Sequence, residues 1–162
     1  RWTRADVVGW GTPVRLDAYA PDGRWYSNDP QIIGTVSGAE ATRLIPDVRA
    51  AVDSYPWGQR GDYVLWPGPN SNTFVAYVLR QVPDLGLTLP PHAVGRDWAG
   101  PGPTAILDAG GDLHLSVSGL AGLSLGPRTG LEIHLLGLAA GIDILRPAVK
   151  LPGIGRIGAP AG

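Results

Sequence analysis

The densest chemistry in this sequence lies in Trp66-Pro67-Gly68-Pro69-Asn70-Ser71-Asn72-Thr73-Phe74. Val75 to Val82 follow as a helical run that Pro83 ends, so a helix is predicted over about residues 72–82 with Ser71 at its start. The positive end of a helix dipole favours negative charge. A Ser placed there is positioned to act as a nucleophile or to hold an anion. Asn70 and Asn72 on either side could donate hydrogen bonds to a developing oxyanion. A serine nucleophile needs a base, and His92 in its Pro-Pro-His loop is the candidate. The same three polar residues equally suit a plain helix N-cap in a Pro-stiffened loop, and both readings stay open. His114 and His134 are expected on the polar faces of strands, as a cross-strand or solvent-facing pair. Two histidines without a third ligand do not make a zinc site. No metal and no cofactor is expected, because no glycine-rich phosphate loop lies between a strand and a helix. Arg96-Asp97 reads as a local ion pair and a secondary binding candidate. Trp10, Trp25, Trp57, Trp66 and Trp98 fall in or near loops, where aromatics line a groove or cap a loop-rich core.

These residues need elements to hold them. Asp6 to Gly11, with Val14, Leu16 and Ala18, reads as strand and turn, and Ile32 to Val36 as a short strand. Ser37 and Glu40 have capping-box spacing. Ala41, Leu44, Ile45, Val48 and Val52 then define a helical stripe that Pro46 kinks or restarts and Tyr55-Pro56 ends. Tyr63 to Trp66 is a further short strand. Leu44, Ile45, Val48, Phe74, Val75, Val78 and Leu79 are expected in the core.

From Asp112 onward the period changes to two. Leu113, Leu115 and Val117 alternate with His114 and Ser116, and Leu131, Ile133 and Leu135 with Glu132 and His134. That pattern predicts antiparallel strands with these apolar residues together on one buried face, and with Gly119–Gly130 as a turn region. A helix through 131–145 is the rival, and Gly137 and Gly141 would each weaken it by about 1 kcal/mol. The expected fold is α+β and one domain: a core over 1–110, a glycine-rich β extension over 111–150 and an extended tail over 151–162.

Composition sets outer limits. The 162 residues carry 13 basic and 14 acidic side chains, for a net charge of -1. No basic stripe is present, so nucleic acid is not an expected partner. Without Cys there are no disulfides and no thiolate chemistry. No apolar stretch approaches the roughly 20 residues of a membrane-spanning helix.

Val8-Gly9-Trp10-Gly11, Leu44-Ile45-Pro46, Tyr55-Pro56, the Trp66–Phe74 run, Leu89-Pro90-Pro91, Gly95-Arg96-Asp97 and Lys150–Arg156 together resemble a bacterial family, domain of unknown function 3750. The likeness runs along essentially the whole chain. It implies a cell-envelope, periplasmic location, a hydrophobic anchor segment before Arg1 and a His-bearing strand upstream. The order of His strand, helix and Asn-Ser-Asn helix start is also similar to circularly permuted papain-like proteins. Those include PPPDE-type peptidases and lecithin retinol acyltransferase-like proteins, in which a Cys nucleophile stands where this chain has Ser71. The resemblance therefore implies a papain-like core used in one of two ways. One is an accessory or binding module attached to a membrane or membrane complex. The other is a serine-dependent hydrolase or acyltransferase acting on amide or ester bonds.

Low charge (17%) and a mean hydropathy of +0.04 favour the attached module. Residues 120–162 are expected in the contact.

Overall fold

The computed structural model describes residues 11–15, 20, 23–24, 27–29 and 32–159. The strand expected around Asp6–Gly11, the alternation at Leu16 and Ala18, and Trp10 and Trp25 lie outside the described residues. The fold is α+β. Among the described residues two helices, α1 (Gly38–Asp53) and α2 (Ser71–Gln81), precede a 3-10 turn (Pro83–Leu85) and seven strands. The strands are β1 (Pro103–Leu107), β2 (Leu113–Val117), β3 (Ala121–Gly126), β4 (Gly130–Leu135), β5 (Leu138–Asp143), β6 (Ala148–Leu151) and β7 (Gly155–Gly158). They form one antiparallel meander in sequence order.

The apolar core belongs to the helices. Leu44 and Ala51, seven residues apart on α1, pack with Val78 and Val82, and Val36, Val48, Val52, Phe74, Tyr77 and Leu85 close around them. Ser37 is the α1 N-cap, as its position predicted, but its side chain makes no capping bond. Glu40, the other half of the predicted box, pairs instead with Arg43 at 2.6 Å. The helix continues through Pro46 as one element. Ile45 and Val75, expected in the core, are exposed. Ile45 sits about 100° around the helix from Leu44, at the edge of the buried stripe. Val75 likewise lies about 100° around α2 from core-packed Phe74 and from buried Ala76.

The short strands expected at 32–36 and 63–66 do not form. Neither has a ladder partner among the described residues, and Val64 N–H donates to the Pro69 carbonyl (2.8 Å) to close a loop instead.

The β region corrects two expectations. Strands occupy 103–158, including β3 inside the stretch read as a turn region and β7 inside the expected tail. The sheet is also turned the other way round. Leu113, Leu115, Val117, Leu131, Ile133 and Leu135 do share a face, but it is the exposed one. One row of directly paired residues runs Leu107, Leu113, Leu125, Leu131, Ile142, Val149, Ile157 across all seven strands. A second runs Ala105, Leu115, Leu123, Ile133, Ala140, and a third Pro103, Val117, Ala121, Leu135, Leu138. None of these positions is charged or polar. The intervening row, facing inward, reads Ile106, His114, Ser124, Glu132, Gly141, Lys150, Arg156.

Candidate functional site

The Trp66–Phe74 segment builds its own support. Asn70 is the α2 N-cap. Its Oδ1 accepts from the backbone N–H of Asn72 (3.0 Å) and Thr73 (3.1 Å), and its own N–H donates back to Thr73 Oγ1 (3.1 Å). The Asn70 amide nitrogen donates to the carbonyls of Leu65 (2.9 Å) and Val94 (3.1 Å). Asn72 donates to the same Val94 carbonyl at 2.9 Å, and Thr73 Oγ1 to the Gly95 carbonyl at 2.7 Å. The amides read as oxyanion donors thus clamp two loops onto the helix start. Gly95 has φ +90°, and a Cβ there would fall 2.4 Å from the Asn70 amide nitrogen, so only glycine allows this approach. Trp66 Nε1 donates to the Leu136 carbonyl (3.2 Å), joining the motif to the β4–β5 turn.

Ser71 is the first residue of α2, as predicted, and half-buried. It lies close enough to Tyr63 that, although burial raises the phenol above its ordinary pKa, the Ser71 hydroxyl acts to lower it. His92 is exposed, and no hydrogen bond joins it to Ser71 among the described residues. Trp98 is buried and packs edge-on against Trp57, which meets Tyr55 in the same manner. These tryptophans cap the helical core.

Asn70→Ala removes the cap and leaves the Leu65 carbonyl without its donor, while the Val94 carbonyl keeps Asn72. A loss of about 2 kcal/mol is expected in chemical denaturation, from the cap and the orphaned acceptor together.

A second constellation lies where α2 and residues 87–97 meet the inward sheet face. Arg96 and Asp97, expected as a pair, go separate ways. Arg96 forms an ion pair with Glu132 and donates to the Leu89 carbonyl. Burial raises the Asp97 carboxyl above its ordinary value, and both its oxygens are buried with no hydrogen-bond partner. Glu132 also receives Lys150 Nζ, which donates to the Thr129 carbonyl as well, at 2.7 Å. The pairing follows from register: Glu132 and Lys150 flank Gly141 in one cross-strand row, where the missing side chain lets them meet.

Next to it runs a relay. Asp108 Oδ2 lies 3.2 Å from His114 Nε2, His114 Nδ1 lies 2.9 Å from Ser124 Oγ, and Ser124 Oγ lies 2.8 Å from His134 Nε2. Donor logic assigns the protons. Asp108 is held below its ordinary pKa: burial works against this, but backbone N–H groups, His114 and Arg128 outweigh it. The carboxylate can only accept, so His114 Nε2 carries a hydrogen. Burial lowers the His114 pKa, leaving Nδ1 bare to accept from Ser124. Ser124 in turn accepts from His134 Nε2–H. His134 Nδ1 is then a bare lone pair, buried and without a hydrogen-bond partner. Burial, seconded by the Arg96 charge, pushes the His134 pKa down to about 4. The two histidines are a cross-strand pair, as one of the two readings had it, but one bridged by Ser124 and turned away from solvent.

A cavity of about 80 Å³ lies among these residues and Arg80. Asp108, Asp112 and His114 place ligand atoms within 4.8 Å of one another. Their donors and acceptors are already engaged. Asp112 accepts from Arg128 N–H (3.1 Å), Thr129 N–H (2.8 Å) and the Thr129 hydroxyl, and Asp108 from Gly110 N–H (2.9 Å) and the Arg128 guanidinium (2.6 Å). These carboxylates close the turns of the meander. Asp143 does the same with Arg146 and Arg156, at 3.2 and 3.0 Å.

No curated protein and no solved structure matches the chain. A family model, described as protein of unknown function (DUF3750), matches residues 1–98, which hold α1, α2 and the Asn70 clamp; the sheet from Pro103 onward lies outside that match, although the likeness seen in the sequence extended to Lys150–Arg156. With more than half of its length matched, the chain belongs to the DUF3750 family.

Proposed function

We propose that this protein is a non-catalytic binding module, an accessory subunit of a membrane-associated assembly in the cell envelope, which docks through the outer face of its sheet. One observation carries the reading: every outward position of the seven strands is apolar or glycine, and no charge interrupts them. Leu107 is 73% exposed, Ile133 62% and Leu135 62%. Seven strands at about 4.8 Å spacing and roughly 17 Å length span about 550 Å² in projection. That is the size at which an apolar patch on a soluble chain marks an interaction site. The helical half, with its exposed charges on α1, would face water.

The alternative, a serine-dependent hydrolase on a permuted papain-like core, needs a base at Ser71. Among the described residues no histidine is hydrogen-bonded to that hydroxyl, and the clamp spends the neighbouring amides on backbone carbonyls. Those features favour docking over catalysis.

The test is a photo-crosslinking residue introduced in cells at position 133, with position 49 on exposed α1 as control. Adducts from 133 and none from 49 are expected, with the protein in the membrane fraction. A protein wholly in the soluble fraction, giving no adduct from 133, would overturn the reading.

A further inference from the structure

Resting on that docking reading, we propose that the partner covering the outer sheet face is a second copy of this chain. The two sheets pack face to face into a β-sandwich, with the helical halves on the outside.

Charge is the first argument. In an isologous contact a patch meets itself, so any charge on it meets its like across the two-fold axis. This face carries none over three cross-strand rows, although 27 of the 162 residues are acidic or basic. The strands send their ionised side chains inward instead: Glu132, Asp143 and Lys150 are all buried.

Composition is the second. The outward residues are Leu, Ile, Val, Ala, Pro and Gly, and no aromatic residue occurs after Trp98. Surfaces that rest on lipid use Trp and Tyr at the headgroup level and basic residues toward anionic lipids. Neither is here. An open sheet sunk into hydrocarbon would also carry the unpaired edges of β1 and β7 with it. An all-aliphatic sheet face is instead half of a sandwich core, the composition of an obligate dimer interface.

Shape and size are the third. A shallow hollow of about 470 Å³ lies over β1–β3, lined by Ala105, Leu115, Val117, Ala121 and Leu123. Leu131, Ile133, Leu135, Leu138 and Ile142 rise beside it on β4 and β5, where the hollow has Ala105 and Ala121 in its lining. A two-fold axis lying between the sheets, along the strands between β3 and β4, sets the hollow of each copy over β1–β3 against β4 to β6 of the other. Sheets paired in this way lie about 10 Å apart. The projected area is of the same order as the roughly 800 Å² that each partner gives to a stable interface.

The experiment is sedimentation equilibrium of the full chain in detergent-free buffer, beside Ile133→Glu and flotation with phosphatidylglycerol vesicles. Twice 17.0 kDa is expected for the wild type. Ile133→Glu should sediment as the monomer with an unchanged far-ultraviolet spectrum, its dimer dissociation constant raised roughly 100-fold or more. Position 133 projects into solvent in the single chain, so the substitution does not enter the protein's own core. A wild-type monomer at all concentrations, or a dimer that Ile133→Glu leaves intact, overturns the proposal. The cellular adduct from position 133 separates the two claims. An adduct with a different protein, or vesicle binding lost in Ile133→Glu, keeps the docking reading and removes the second copy. No adduct and no flotation remove both.

Discussion

Replacing Glu132 with Ala is expected to destabilise the fold by about 3–5 kcal/mol, the cost of leaving buried charge uncompensated. Glu132 is 1% exposed and takes the guanidinium of Arg96 on one oxygen and the ammonium of Lys150 on the other. Both cations are nearly as deep, with side chains 10% and 6% exposed. Without the carboxylate they face each other and the Arg80 guanidinium across a cavity of about 80 Å³. The effect belongs to the broken set rather than to the net value of the ion pairs. The triple variant Glu132→Leu, Arg96→Met, Lys150→Met should therefore recover most of the loss, since a well-packed apolar replacement of a buried ionic cluster is often neutral or better. The measurement is urea unfolding at constant slope for wild type, single and triple variants. A single variant within 1 kcal/mol of wild type would mean that water reaches this site and screens it.

The helical half was more legible in the sequence than the sheet, for a physical reason. At Ser71 the cue is local. Pro67 and Pro69 bar a helix, three capping residues follow, and the helix begins where they stand. The cue left the cap open among Asn70, Ser71 and Asn72, and it is Asn70 whose Oδ1 takes the backbone N–H groups of Asn72 and Thr73. In the β region, strict alternation of Leu113–Val117 and Leu131–Leu135 established that strands form and which side chains share a face. Alternation is symmetric, however, and contains nothing about which face turns inward. That is decided by what the sheet meets, here Arg80, Arg96 and Asp97, which attract His114, Ser124, Glu132 and Lys150 rather than leucines. A signal was present in those inward residues: within a strand the charged or titratable side chains alternate in step with the glycines, Glu132 and His134 with Gly130 on β4 and Asp143 with Gly141 on β5. Their meeting with Arg96 depends on contacts far apart in the sequence, and no local rule supplies them. The expected Arg96–Asp97 pair failed for the same reason, since adjacency in sequence lost to a partner 36 residues away.

Acid is expected to weaken this fold well above the range in which carboxylates titrate, and His134 is the cause. Its pKa falls from an ordinary 6.5 to about 4 on folding, because the imidazole is buried and sits near the Arg96 charge. A depressed pKa means that the folded protein binds this proton less readily than the unfolded chain. The stabilisation is complete above pH 6.5 and is lost as pH falls toward 4. A shift of that size corresponds to about 3 kcal/mol across the window. His114, also lowered by burial, adds in the same direction. Asp108 and Asp143, held below their ordinary values, lose their contributions only at lower pH. The relay makes the site sensitive. A proton on His134 Nδ1 places a cation beside Arg96 and Lys150, with Glu132 at 4.0 Å already shared between them. His134→Gln keeps an N–H for Ser124 and removes the titrating group, so its stability should vary by about 3 kcal/mol less between pH 6.5 and 4. Unfolding free energies measured across that interval decide the matter. Parallel curves for wild type and His134→Gln would assign the acid sensitivity to other groups.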